Sequence, residues 1–466
     1  MTYPPNVRTA PVPAPTHAPA PSAPPSAPPP ARHGAWAEGR ERLRAAATTE
    51  PGRLQIIGAV LALLVVVFGA VTAFEVGDRS VAADDVVDRS QPLSADAANI
   101  YRSLAGADTA AASGFLAGAQ EPAKVQQLYK DDIETASLLL VKAAANTEGS
   151  SESRSQIATL NEQLPLYTGL IERARANNRQ GLPLGGAYLR YANQKMTKEI
   201  LPAAEKLYAS ETAQLDRDQG DARAWPFLSL AAGVVALGVL AWAQRRNYHR
   251  TNRVFNHGLL AATATATVVL LWLAVGHTVA RTQLNDANAH GQASLTVLND
   301  ARISSLKARA NENLTLVARG AVLTKDGKSD RYETDHQADM KELGAALEKA
   351  RKLADDSAGS EPVGVARTAA TEWQKLHKSA NDTDKAGDYE GALAKVIGDK
   401  DSTGESFDRV DDALEKAIGH EQREFTDAAD SGRDALTGLS IGALVLALLG
   451  AVGAILGINR RLSEYR

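Results

Sequence analysis

The sequence predicts an all-α membrane protein: four transmembrane helices carrying two tandem extracytoplasmic four-helix bundles. Three observations predict it. Four runs nearly free of charge stand at 54–76, 225–243, 258–280 and 437–458. Each holds about 20 residues, which at about 1.5 Å rise per residue crosses a hydrocarbon core of about 30 Å. Short Arg-rich segments alternate with long acidic ones between these runs, and both long segments show helical periodicity without a strand pattern.

Taken in order, residues 1–53 come first. Residues 1–31 hold 12 of the 20 prolines, so no core can form there and the tail reads as an extended cytoplasmic arm. Arg40, Arg42, Arg44 and Arg53 follow. The first apolar run is not a cleaved leader, because 53 residues precede it and it exceeds a leader's apolar stretch of roughly 7–15 residues. The segment 244–257 carries Arg245, Arg246, Arg250 and Arg253, and Arg460, Arg461 and Arg466 follow the last run. Short Arg-rich segments stay inside. All three therefore read as cytoplasmic, with both termini inside and the segments 77–224 and 281–436 outside. Residues 77–224 hold 16 Lys/Arg against 20 Asp/Glu, and 281–435 hold 22 against 30. Acidic segments of this kind are the ones that translocate.

In the first outer segment Ile157, Leu160, Leu164, Tyr167, Ile171 and Ala174 form a heptad seam, continued in style by Met196, Ile200, Ala203 and Leu207. Breaks are expected at Pro92–Ser94, 117–122, 146–151 and 181–186, with Ser94 as an N-cap and Pro122 in a first turn. In the second, Met340, Leu343, Leu347, Ala350 and Ala354 form one seam and Leu414, Ile418, Glu421, Phe425 and Ala428 another. Breaks are expected at 324–330, 355–362 and 398–404, with a short helix over 387–398 capped by Asp388. The repeated span–bundle–span plan points to duplication. "AGADTAAAS" (105–113) and "ARANENLTL" (308–316) echo each other at matching distances from their spans.

Chemistry is sparse. A net charge of −4 gives no reason to expect nucleic acid, and the absence of Cys removes disulfides, thiol nucleophiles and thiolate metal sites. "GAVLTKDGKS" (320–329) lacks the Gly-x4-Gly-Lys-Ser spacing of a phosphate loop, and "GLPLGGAYLRY" follows no strand. No catalytic constellation, cofactor or metal site is expected. His290, His336, His377 and His420 read as scattered surface histidines. Asp108, Asn311 and Glu312, with Arg319 two turns on, are the polar residues of otherwise Ala- and Leu-rich helices. They are either a solvated face or register-setting contacts, or else a ligand or partner patch. The four arginines 245, 246, 250 and 253 are a topology anchor or the contact for a cytoplasmic partner. Neither that loop nor "NRRLSEYR" (459–466) could hold a kinase or cyclase, so a sensor of this plan would signal through a partner.

"PLSADAANIYRSLAGADTAAASGFLAG" (92–118), "LPLGGAYLRYANQKM" (182–196) and "ARANENLTLVARG" (308–320) resemble stretches of GlnX-type actinobacterial membrane proteins, and the order of spans and outer segments agrees along essentially the whole chain after the Pro-rich tail. That resemblance implies a non-enzymatic relay. An extracytoplasmic amino-acid-binding lipoprotein engages the membrane protein, which informs a cytoplasmic Ser/Thr kinase. It supplies no ligand residues. A homodimer is left open. The alternative is an envelope scaffold organising other membrane or cell-wall proteins. A transporter fits poorly, since the spans hold almost no ionisable residue.

Overall fold

A computed structural model describes residues 48–146, 151–251, 256–398 and 400–462. Among these the chain is helical throughout, with no strand and a single isolated bridge between Leu323 and Asp330. The Pro-rich tail, Arg253 and Arg466 lie outside the described residues.

The first apolar run lies in α1 (Glu50–Asp85), the second in α7 (Phe227–Thr251), the third in α8 (His257–Asp286) and the fourth in α14 (Leu439–Leu462). All four belong to helices long and apolar enough to cross a membrane. They close into a ring in which α14 packs on α1 and α8, and α7 packs on the same two from the other side. Their core is Leu61, Val65, Phe68, Ala236, Leu240, Val269, Ala447 and neighbours. Leu63, Phe74, Phe227 and Ile441 point outward at 62–72% exposure, which leaves the ring an apolar exterior suited to lipid. Close approach depends on glycine. A Cβ on Gly258 would meet the backbone of Gly453 and Gly457, and one on Gly69 would overlap Ala447. Small residues at such crossings are what let helices pack in lipid, where burial from water supplies no drive.

The 77–224 segment forms α2 (Gln91–Leu116), α3 (Ala123–Asn146), α4 (Ser151–Arg179), α5 (Leu184–Lys195) and α6 (Leu201–Ala222). The 281–436 segment forms α9 (Ala293–Ala318), α10 (Arg331–Leu353), α11 (Ser357–Lys385), α12 (Tyr389–Ile397) and α13 (Thr403–Leu436). Aspartate and serine caps start several of these, and an asparagine starts α8: Asn256, Asp330, Asp356, Asp388 and Ser402 each accept a backbone N–H from the first turn. The seam residues named above are buried, with Ala354 and Ala428 only partly so; Ala429 takes the buried place beside the latter.

Three expectations fail. The break expected over 355–362 shrinks to 354–356, because the Asp356 cap starts α11 at Ser357 and the helix carries Pro362 within its second turn. No break falls at Pro92–Ser94. The chain runs as one helical rod from α1 into α2 through a π-helical turn at Val86–Ser90, and Ser94 sits buried in mid-helix against Thr212 (3.0 Å). Proline lacks an N–H and crowds the carbonyl one turn back; a widened turn just before Pro92 accommodates both defects. The same device recurs at Met196–Ile200, before Pro202. Nor does the 244–257 segment behave as a simple loop: α7 continues through it to Thr251.

The 77–224 and 281–436 segments share a core. α2 packs along α9, and Ile303, Leu306, Leu314 and Ala318 join the cluster built from Ile100, Leu104, Leu160, Tyr167 and Leu207. Thr109 Oγ1 donates to the Leu306 carbonyl (2.8 Å), and Asn313 Nδ2 to Ser113 Oγ (2.7 Å). A second cluster around Met340, Leu347, Trp373 and Leu414 belongs to the 281–436 segment alone. The echoing stretches 105–113 and 308–316 thus lie on helices that pack against each other.

Candidate functional site

Asp108 projects from α2 among Ala105, Ala107, Ala110, Ala111 and Ala112, whose small side chains let neighbouring helices close over it. It is 4% exposed and accepts hydrogen bonds from Tyr167 Oη (3.1 Å) and Asn193 Nδ2 (2.7 Å), both neutral donors. Burial pushes its pKa up to about 6, and the two hydrogen bonds only partly oppose this. Beside it the Arg175 guanidinium lies 4.1 Å over the Tyr129 ring and pairs with Glu121 (3.0 Å) and Glu172 (3.1 Å). The Tyr129 hydroxyl and Arg175 Nε are buried without a hydrogen-bond partner. This corner therefore holds a carboxylate without a cationic partner, a guanidinium and unfilled bonding capacity.

Glu312 is the buried carboxylate of α9, one residue beyond the position that aligns with Asp108 in the echo. It is 1% exposed and holds three donors: Arg309 Nη1 (2.5 Å), Trp373 Nε1 (3.1 Å) and His377 Nδ1 (2.8 Å). His377 Nε2 reaches Glu333 (3.0 Å), and the His336 ring stacks on it at 3.8 Å while donating Nδ1–H to the Ala308 carbonyl (2.9 Å). Burial opposes the His377 charge, but the hydrogen bonds and charges of Glu312 and Glu333 outweigh it and raise the pKa to about 9. Glu312 is held down at about 2, the Arg309 charge overcoming its desolvation. Arg309 also donates to Thr403 Oγ1 (2.9 Å) and the Val396 carbonyl (3.1 Å), tying α9 to the start of α13. Each of the two segments thus buries on its first helix a carboxylate bonded by an aromatic donor from its third: Tyr167 of α4 and Trp373 of α11.

The predicted patch is not one site. Asp108 and Glu312 are buried in separate clusters, so neither belongs to a solvated face. Asn311 points away from Glu312, consistent with its place one residue round the helix, and donates to Asp339 (2.8 Å). Arg319 ends α9 in a left-handed conformation (φ 46°) with its guanidinium 3.7 Å over Tyr389. The histidines are not scattered over the surface either. His336 and His377 meet at Glu312, whereas His290 and His420 lie near the α10–α11 connection, where they approach Asp355 and Asp356. Of the basic residues, Arg245 is exposed, Arg246 lies 5.4 Å from the Trp242 ring, Arg250 is in the last turn of α7, and Arg253 is outside the described residues.

Sequence reasoning missed a junction between the apolar ring and the helices of the 77–224 and 281–436 segments. α6 ends at Ala222 and α7 begins at Phe227; Pro226 O already accepts the Leu230 N–H (3.0 Å), whereas the carbonyls of 223–225 stand outside both helices. Arg79 of α1 donates Nε–H to Ala224 O (2.6 Å) and Nη2–H to Trp225 O (3.0 Å); Arg281 of α8 donates to Arg223 O (2.7 Å). Glu75 accepts the Ser229 N–H (2.7 Å) at the start of α7. Trp225 packs on His277, ring centres 5.1 Å apart. The 223–226 link is thereby clamped by one arginine from each of the two rods that run unbroken out of the apolar ring. No signal in the sequence separates these arginines from ordinary interfacial ones.

No curated protein and no solved structure matches the chain. Residues 82–220, which contain the Asp108 cluster, α2–α5 and all but the last two residues of α6, but not the Glu312 cluster, match the model of an actinobacterial sensor domain. The match supports a sensor protein from actinobacteria.

Proposed function

We propose that this chain is a non-enzymatic transmembrane relay of the GlnX type. It reports amino-acid availability outside the cell, through a loaded solute-binding lipoprotein, to a cytoplasmic Ser/Thr kinase. The observation that carries the reading is mechanical. α1 continues into α2, and α8 into α9, as rods linking the apolar ring to the outer helices, and the clamp at 223–226 ties α6 and α7 to both. A displacement of α2 against α9 outside is then passed through the ring rather than absorbed in a loop. Tightly packed helices switch between discrete arrangements, which suits such a relay. Within 82–220, Asp108 and the Tyr-stacked Arg175 offer the opposite charges that the ammonium and carboxylate of an amino acid, or of a carrier presenting one, would meet. The Arg245–Arg253 segment faces the kinase in this reading, on the side that Arg-rich short segments occupy.

The test is affinity purification with crosslinking of the tagged protein from its own membranes, with and without excess glutamate or aspartate. Recovery of a solute-binding lipoprotein and a kinase, changing with the amino acid, is the expected result. Recovery of cell-wall or division proteins alone, indifferent to amino acids, would replace the relay with an envelope scaffold.

A further inference from the structure

At the α10–α11 connection the start of α11 comes close to α13 because residue 359 is glycine. A Cβ there would lie 3.0 Å from Glu421 Oε1 and 3.6 Å from the His420 ring. His420 and Glu424, one turn apart on α13, consequently face Asp356, the N-cap of α11. His420 Nε2 lies 3.2 Å from Asp356 Oδ1 and 3.3 Å from Glu424 Oε1. The nitrogen is buried, yet neither oxygen stands in hydrogen-bonding geometry to it. A single N–H cannot point at two oxygens that flank it. An ion can sit among all three.

The spacing fits an ion of one class. With metal–nitrogen and metal–oxygen bonds of about 2.0–2.2 Å, the ligand atoms of a tetrahedral zinc site stand about 3.3–3.5 Å apart. Here the three candidate ligand atoms all lie within 4.8 Å of one another. An imidazole in the set selects a transition-metal dication over Ca²⁺ or Mg²⁺, which take oxygen ligands. Asp356 Oδ1 also accepts the Gly359 N–H (2.7 Å), an outer contact that orients a carboxylate ligand. Asp355 adds negative charge nearby, and Lys416 and Arg423 on the adjoining groove oppose it. That groove is open to solvent and can admit water to a fourth position.

We infer that Asp356, His420 and Glu424 are the protein ligands of one transition-metal dication of the Zn²⁺ class. An ion held there bridges the α10–α11 connection to α13, the helix that leads to α14. Asp355 next to the site reaches His290 (3.8 Å) in the π-helical turn Ala287–Gln292 of the unbroken α8–α9 rod. Occupancy would brace the second outer segment where it meets the apolar ring. The inference does not depend on the relay proposed above, and its test makes no use of signalling.

The test is isothermal titration of the full-length chain in detergent, stripped with EDTA, with Zn²⁺ as the probe. One saturable site per chain is expected in the presence of excess Ca²⁺, weakened at least tenfold in His420→Ala and in Glu424→Gln, with helical circular dichroism retained. Glu424→Gln keeps the side chain's shape and so covers a failure of His420→Ala to fold. No saturable Zn²⁺ site in the parent chain, or parental affinity in a folded variant, would overturn the assignment.

Discussion

Glu312→Ala is the perturbation that tests the physical reading of the 281–436 segment most directly. Glu312 is 1% exposed and faces Arg309, His377 and the Trp373 indole at once. Removing it leaves Arg309 a buried guanidinium without a carboxylate contact, leaves Trp373 without its hydrogen-bond acceptor, and leaves His377 only Glu333. Deleting one partner of a buried ion pair costs about 3–5 kcal/mol. Set against a total stability of about 5–15 kcal/mol, that is a large share. The His377 contact bounds its own share of this. Raising His377 from 6.5 to about 9 corresponds to about 3 kcal/mol, which Glu312 shares with Glu333. The depressed Glu312 value reflects Arg309 first and His377 second, so the two are not added. The signs follow. The Glu312 contribution is present above pH 4.5 and is lost as the pH falls through about 2; the His377 contribution is present below pH 6.5 and is lost as the pH rises through about 9. The assay is native-state amide exchange followed by mass spectrometry in detergent, since local opening resolves one segment where a global melt would not. Peptides from α9 and α11 should exchange about 10²–10³-fold faster in the variant at pH 7, because about 1.4 kcal/mol is a factor of ten. A change below about threefold would refute the reasoning and make the cluster energetically idle.

Three further outcomes follow from the same structure. Tyr167→Phe removes a donor to buried Asp108 and should destabilise the 82–220 region by about 1–3 kcal/mol, read as faster exchange in α2 and α4; because the folded-state pKa of Asp108 is raised, its own contribution should be present below pH 3.8 and fade as the pH rises through about 6. Arg79→Ala with Arg281→Ala strips the clamp from the carbonyls of 223–225, so protease cutting or exchange at that link should rise sharply, and any amino-acid response of the captured partners should vanish; an intact response would remove the clamp from the mechanism. Gly258→Leu places a side chain against the backbone of Gly453 and Gly457, which cannot step aside, so the melting temperature of the detergent-solubilised chain should fall by several degrees, and an unchanged melt would mean that α8 and α14 do not cross there.

Much of the architecture was legible because it rests on one-dimensional patterns. Four apolar runs of span length declare themselves by composition. Seams such as Ile157–Ala174 and Met340–Ala350 declare a buried face by their period, and Asp388 declares a helix start by its side-chain oxygen. A period says which face is buried and leaves open what covers it. α2 is lined with alanine, which suits any close neighbour, and only the tertiary structure pairs it with α9. Asp108 and Glu312 read from sequence like polar residues on any helix. Whether water or Tyr167, Asn193, Trp373 and His377 surrounds them depends on helices far away in the chain. Pro92 looked like a break because local rules forbid proline in a regular turn; a π-helical turn, held by packing on both sides, relaxes that rule. The arginine clamp and the Asp356–His420–Glu424 constellation lie further still from sequence reasoning, because each joins residues dozens to hundreds of positions apart. Periodicity is a property of one helix, and these sites are properties of several held together.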